Sequence, residues 1–108
     1  MFRIESCAHQ GKPALRLEGE LTICQVLEAR TMLDAALDLF PALQLDLSGL
    51  EGLDTPGVQL LVWLGQEAHR RGKTLALFAP SQAVMEVFEL LQVAPLLGAA
   101  LPTAALPS

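Results

Sequence analysis

The sequence predicts one α/β domain, a small mixed β-sheet with helices packed mainly on one face, in the order β-β-α-β-α-β-α. Two observations predict this class. Short stretches of alternating apolar and polar residues are separated by longer stretches with apolar residues at helical spacing. The first two strand-like stretches follow each other directly, which indicates a hairpin, whereas helices separate the later ones, which indicates parallel neighbours.

Composition fits a single folded domain over residues 1–108, with 52% hydrophobic and 18% charged residues. We expect the uncharged, proline-containing end, 98–108, to be a poorly ordered tail. The net charge of −5 argues against nucleic acid and anionic membranes as main partners. The first residues lack the features of a signal peptide, and prolines interrupt the apolar end, so we expect a cytoplasmic protein without direct membrane insertion.

The first part of the chain predicts a hairpin followed by a helix. Phe2 and Ile4 alternate with charged residues in a first strand, and Ala14–Glu18 form a second strand after a glycine-containing turn. Thr22 then stands where a helix cap is expected. Apolar residues at helical spacing predict a helix over Ile23–Leu39.

The central stretch predicts a strand, a turn and a long helix. Leucine alternates with polar residues from 43 to 47, and Gly49–Gly52 resembles a turn rich in glycine and acidic residues. Thr55 then stands where an N-cap is expected, and Pro56 occupies the first helical position. The helix should continue to Arg71.

The last predicted elements are a strand over Thr74–Ala79 and a helix over Gln82–Leu91. A helical wheel of the preceding helix places His69 on its apolar stripe, as a buried or half-buried structural histidine. It places Trp63 in the middle of the polar face, where an exposed aromatic ring is typical of an interface. The alternative is that the apolar tail covers Trp63.

No arrangement of residues typical of an enzyme is found. The sequence has no glycine-rich phosphate loop, no supported Ser–His–Asp set and no paired histidine ligands. Asp46 and Asp54 form a candidate carboxylate pair, but no base, nucleophile or metal set accompanies them. We therefore predict no catalytic residue, no metal and no cofactor. Cys7 and Cys24 are expected to be reduced and mostly buried.

Several short motifs, in this order and spacing, resemble the STAS domain of anti-sigma factor antagonists over nearly the whole chain. The motifs are Gly19–Thr22, Leu45–Ser48, Leu53–Val58, Gly72–Leu75 and Ser81–Val84. In that family, the residue after the loop aspartate is usually Ser or Thr, and in many members a kinase that doubles as an anti-sigma factor phosphorylates it.

The resemblance implies a role for each residue of a switch loop. Thr55 matches the phospho-acceptor, Asp54 the loop aspartate, and Asp46 the acidic residue that ends the strand. Gly57 completes the motif. Pro56 departs from the family pattern, which has Ser, Gly or Ala there, and it stiffens the loop. From the residues alone, a plain N-cap is the favoured interpretation of Thr55, and the resemblance makes the switch an equal alternative.

Two functions follow from the resemblance. The first is a regulator that changes partners when Thr55 is phosphorylated by a Ser/Thr kinase anti-sigma factor. The second is a cytosolic subunit of a phospholipid-transport ABC complex, whose Thr55 loop contacts the ATPase. In both, the predicted partner surface comprises this loop, Trp63 and the turn that contains Glu20 and Thr22. The sequence is also compatible with a homodimer. An enzyme is the weaker third alternative.

Overall fold

The computed structural model describes residues 2–91, and the predicted tail at 98–108 lies outside them. The seven predicted elements occur in the predicted order. They are β1 (Phe2–His9), β2 (Lys12–Leu21), α1 (Val26–Leu39), β3 (Ala42–Leu53), α2 (Thr55–Arg70), β4 (Thr74–Phe78) and α3 (Gln82–Leu91).

The described strands form one four-stranded mixed sheet in the order β1-β2-β3-β4. β1 and β2 are the antiparallel hairpin expected from their short connection. β3 is parallel to both β2 and β4, because α1 and α2 provide the crossovers that parallel strands require. The predicted α/β class and its mixed sheet are confirmed.

The hydrophobic core lies between the sheet and the three helices. The alternating leucines of β3 are buried on the face that the helices cover, as the period of two in their sequence predicts. Each helix contributes fully or almost fully buried residues to the same cluster: Leu33 and Leu37 from α1, Leu61 and Leu64 from α2, and Val84 and Phe88 from α3.

β3 is longer than the sequence predicts. The residues Gly49–Gly52 continue the strand to Leu53, where a turn was expected. They do so because β2 runs alongside, with Glu18 opposite Gly49, and two register shifts absorb the extra residues of β3. Gly49 allows the close approach, since a Cβ there would lie 2.9 Å from the carbonyl oxygen of Leu17.

Candidate functional site

The junction between β3 and α2 is held by the side chain and the backbone of Asp54. Its Oδ1 accepts a hydrogen bond from the N–H of Gly57 at 3.0 Å, and its carbonyl accepts one from Val58 at 2.9 Å. Asp54 is therefore the N-cap, Thr55 the first helical residue and Pro56 the second. The prediction of Thr55 as the cap was wrong by one residue, because the aspartate directly before it caps equally well.

The other oxygen of the same carboxylate joins α2 to the turn before α1. Asp54 Oδ2 accepts a hydrogen bond from the N–H of Ile23 at 2.9 Å. One side chain thus bonds to the start of α2 and to the end of the β2–α1 connection. This carboxylate therefore helps to fix the relative position of these two segments.

Thr22 stabilises a turn and does not cap α1. Its carbonyl accepts a hydrogen bond from the N–H of Gln25 at 2.9 Å, and its N–H donates to Gln25 Oε1 at 3.0 Å. This closed turn delays the helix, so α1 begins at Val26 and not at Ile23, and its N-cap Gln25 makes no side-chain capping bond.

Gly57 lies directly against the end of β2. A Cβ at this position would overlap the carbonyl oxygen of Leu21 and lie 2.8 Å from Leu53 Cδ1. Any larger residue would force the start of α2 away from the sheet. The glycine of the motif therefore sets how closely Thr55 approaches the end of the sheet.

Thr55 itself is exposed on this tightly packed support. It occupies the first position of α2, while Gly57 and Val58 in the same turn are buried. The structure thus brings together Asp54, Thr55, Pro56 and Gly57, four of the five residues predicted for the switch loop.

Asp46 lies elsewhere. It is 6% exposed in the middle of β3, where Oδ1 accepts from the Ser48 N–H at 2.8 Å and Oδ2 from Arg16 Nε at 3.2 Å. Burial alone would raise its pKa, but the hydrogen bonds from Ser48 and the Arg16 guanidinium lower the pKa below its ordinary value. At the usual rise per residue, about 26 Å of extended chain separates it from Asp54.

Trp63 is half-buried, although the helical wheel predicts an exposed ring. It packs against the core, and the guanidinium carbon of Arg30 lies 4.4 Å from its ring centroid. The wheel of α2 alone fails here because α1 runs alongside this part of α2. For His69 the wheel is wrong in the opposite sense, since this residue is exposed although the wheel predicts a buried or half-buried histidine.

Glu20 belongs to the last part of β2, opposite Gly52. It lines an open groove of about 520 Å³ together with Arg3, Glu18, Gly19, Gly49 and Glu51. Within the groove, Arg3 Nη2 donates to Glu18 Oε1 at 2.7 Å. The lining thus carries three carboxylates and one guanidinium.

Sequence reasoning missed two exposed apolar residues beside Thr55. Ile23 is 66% exposed and Leu27 is 80% exposed, although both were counted within a predicted amphipathic helix. The exposure of Ile23 follows from the turn that Thr22 and Gln25 form, which the sequence did not indicate.

Neither a metal site nor a membrane span is found in the described part of the chain. Residues 2–91 contain no group of three His, Cys, Asp or Glu side chains that could hold a metal ion. None of their helices is long and apolar enough to cross a membrane. Cys7 and Cys24 are free thiols, but Cys7 is half-buried and Cys24 exposed, so the expectation that both are mostly buried was wrong.

Comparison with solved structures identifies the fold. The unphosphorylated form of the anti-sigma factor antagonist SpoIIAA is 24% identical, with a TM-score of 0.66 over 88% of this chain and 84% of that one. An anti-sigma factor antagonist from Mycobacterium paratuberculosis is 21% identical, with a TM-score of 0.72 over 88% and 81%. The phosphorylated form of Bacillus SpoIIAA is 23% identical, with a TM-score of 0.61 over 88% and 86%.

These likenesses show a SpoIIAA-like fold. A search of curated proteins gives no significant match to the chain. The family model described as "Mlab, STAS domain" matches residues 6–98, which is most of the sequence. The chain therefore belongs to this STAS-domain family.

Proposed function

We propose that this protein is a non-enzymatic, cytoplasmic regulator of the anti-sigma factor antagonist type. In this proposal, a Ser/Thr kinase anti-sigma factor phosphorylates Thr55, and the modification changes which protein partner is bound. The observation that carries the proposal is the exposed hydroxyl of Thr55 on a helix start fixed by Asp54 and Gly57. Regulation of transcription would follow from the release of a sigma factor.

The hydrogen bonds at the start of α2 support a switch that acts by charge. A helix start usually offers free N–H groups to a phosphate. Here Pro56 has no N–H, and the N–H groups of Gly57 and Val58 already donate to Asp54. A phosphate on Thr55 would keep its charge of about −1.5 to −2 directed toward solvent or a partner. It would repel an acidic partner surface without refolding the domain.

The competing hydroxyl groups are less suited to modification. Ser81 Oγ donates to the carbonyl of Leu50 at 2.6 Å and accepts from the Val84 N–H at 3.2 Å, so it serves as the cap of α3. Ser48 lies within β3, and its hydroxyl bonds to the buried Asp46. Thr55 is thus favoured over the half-buried Ser81 on accessibility, and over the exposed Ser48 because the Thr55 hydroxyl makes no hydrogen bond within residues 2–91.

Mass spectrometry after incubation with the cognate kinase and ATP tests the proposal. We expect phosphate on Thr55 in the wild type and none at that position in Thr55→Ala, while Thr55→Ser keeps the acceptor. Phosphate on Ser48 or Ser81 alone would overturn the switch. The complete absence of phosphate, with a kinase proven active on another substrate, would also overturn the switch. Pro56→Ser should speed the reaction if the stiff helix start limits it.

A second candidate is a subunit of a phospholipid-transport ABC complex, whose Thr55 loop contacts the ATPase without being phosphorylated. The rigid start of α2 favours this candidate. Pro56 and the two hydrogen bonds of the Asp54 carboxylate oppose the change in loop conformation that a kinase would impose. Co-purification separates the two candidates. A histidine-kinase-like ATPase domain supports the first, and an ABC ATPase with an unmodified Thr55 supports the second.

A further inference from the structure

We propose that a surface between α1 and α2 binds an amphipathic helix of the protein partner. This surface, the α1–α2 groove, is defined by Ile23, Leu27, Arg30 and Trp63. The apolar side of the partner helix would cover the first two residues, and one of its carboxylates would pair with Arg30. The inference rests on the proposed function, because it names the surface and the partner chemistry that Thr55 would regulate.

The apolar part of the α1–α2 groove lies directly beside the switch residue. Ile23 and Leu27 are four residues apart across the start of α1 and are 66% and 80% exposed. The hydrogen bond from the Ile23 N–H to Asp54 fixes this patch next to the residue that precedes Thr55. Such exposed apolar residues next to polar groups are typical of contact surfaces.

Arg30 is the charged part of the groove, and its position is already fixed. Its guanidinium lies over the Trp63 ring at 4.4 Å from the centroid, which holds the long side chain in one orientation. Within residues 2–91, it makes no ion pair. The other arginines all do: Arg3, Arg16, Arg70 and Arg71. A positioned guanidinium without a carboxylate indicates that the partner provides one.

The groove has a defined length. At one end it begins where Ile23 bonds to Asp54, and at the other Arg71 joins the helices through Asp34 at 2.5 Å and Glu67 at 3.2 Å. The stretch of α2 from Thr55 to Glu67 spans about 18 Å at the usual rise of 1.5 Å per residue. About three turns of a helix fit this span, which is the usual geometry of a helix bound in a groove.

Two other occupants fit less well. Residues 92–108 of this chain are mostly apolar and carry no Asp or Glu, so they offer Arg30 no side-chain carboxylate. A second copy related by two-fold symmetry would present the same positive patch to itself. A partner with its own carboxylate avoids both problems. A phosphate on Thr55, at the edge of the groove, would then repel the partner's carboxylate. Phosphorylation would thereby weaken binding of the partner helix.

Affinity measurements with matched variants test the groove. The full chain is titrated calorimetrically with each purified candidate partner from the same genome, the kinase anti-sigma factor and the ABC ATPase. We expect Leu27→Asp to weaken binding by about tenfold or more. The control Leu39→Asp alters a leucine of α1 that is 77% exposed and lies outside the groove. It should change affinity by less than about twofold.

The charged contact is tested by reversal. Arg30→Glu should weaken binding comparably, and replacing the opposing partner carboxylate by lysine should restore it. If the wild type binds an ATPase but Leu27→Asp and Leu39→Asp behave alike, the groove is overturned and the proposed function stands. If the wild type binds neither ATPase, both are overturned. A dimer that Leu27→Asp dissociates, or a photo-crosslink from position 27 to residues 92–108 of the same chain, would also overturn the groove.

Discussion

The two ends of the α1–α2 pair are held together in different ways. At the end of α2, Arg71 bonds to Asp34 and to Asp38 at 2.8 Å, and it also pairs with Glu67. The ammonium of Lys73 adds hydrogen bonds to the last carbonyls of α1, including Asp38 at 2.9 Å. Several partly exposed contacts therefore stabilise the packing of α1 against α2 at this end.

At the start of α2, few groups are used and each is specific. The carboxylate of Asp54 joins two segments, and Gly57 allows the helix to touch the end of β2. Ile23 and Leu27 are exposed apolar residues near this end, whereas the other end combines the charged contacts of Arg71 and Lys73 with the exposed Leu39. The Thr55 end is thus fixed by one carboxylate and one close backbone contact, while Thr55, Ile23 and Leu27 stay exposed. The opposite end uses its side chains for stability.

The largest effect is expected for Gly57→Ala. The new Cβ would overlap the backbone carbonyl of Leu21, which cannot move aside without shifting β2. We expect a loss of about 3 kcal/mol in the free energy of unfolding, seen as a fall in melting temperature of roughly 15 °C. Gly65→Ala in the same helix is the control. Its Cβ has no neighbour nearer than 3.9 Å, and a gain up to about 1 kcal/mol is expected from helix propensity.

An intermediate effect is expected for Asp54→Ala, which removes the cap and the bond to Ile23. We expect a loss of about 1–2 kcal/mol in the free energy of unfolding, measured by urea denaturation. Amide hydrogen exchange should accelerate at Ile23 and Gly57, the two donors that lose their acceptor. Asp54→Asn keeps a capping oxygen and should lose less. Unchanged exchange at Ile23 would show that the two segments are held together by other contacts.

The smallest effect is expected for Arg71→Ala at the opposite end. The hydrogen bonds of Lys73 remain, and the ion pairs of Arg71 are partly open to solvent, so they contribute little and weaken with salt. The difference in urea midpoint between this variant and the wild type should be smaller than for Asp54→Ala and should shrink in 1 M NaCl. A loss of stability that is larger than for Asp54→Ala and independent of salt would show that the Arg71 end contributes more to stability than the Asp54 end.

The sequence predicts the fold well because the helices and most strands have clear hydrophobic periods. It fails where a neighbour decides the conformation. Gly49–Gly52 has the composition of a turn but pairs with β2 as a strand. The exposure of Trp63 depends on α1, which a wheel of α2 cannot include.

At the site, the motif around Thr55 was predicted from the order of its residues, and four of its five residues lie together. Asp46 was assigned to the same loop because the strand was expected to end near it, but β3 continues to Leu53. The roles of Glu20, Thr22 and Trp63 in partner binding remain predictions. The positions of Ile23 and Arg30 required the tertiary structure, because only the packing of α1 beside α2 brings them to one surface.

The pairing of Arg16 with Asp46 has a consequence for how the site can diversify in evolution. These two residues stand directly opposite each other in the parallel β2–β3 ladder, before the first register shift. A slip by one residue would turn Asp46 into the apolar core and expose the leucines beside it, so the first half of β3 defines the alignment. The glycine-rich second half of β3, which contains both register shifts, does not define this alignment. A residue gained in this half, away from Gly49 and the buried Leu50, would leave the alignment of Arg16 with Asp46 unchanged.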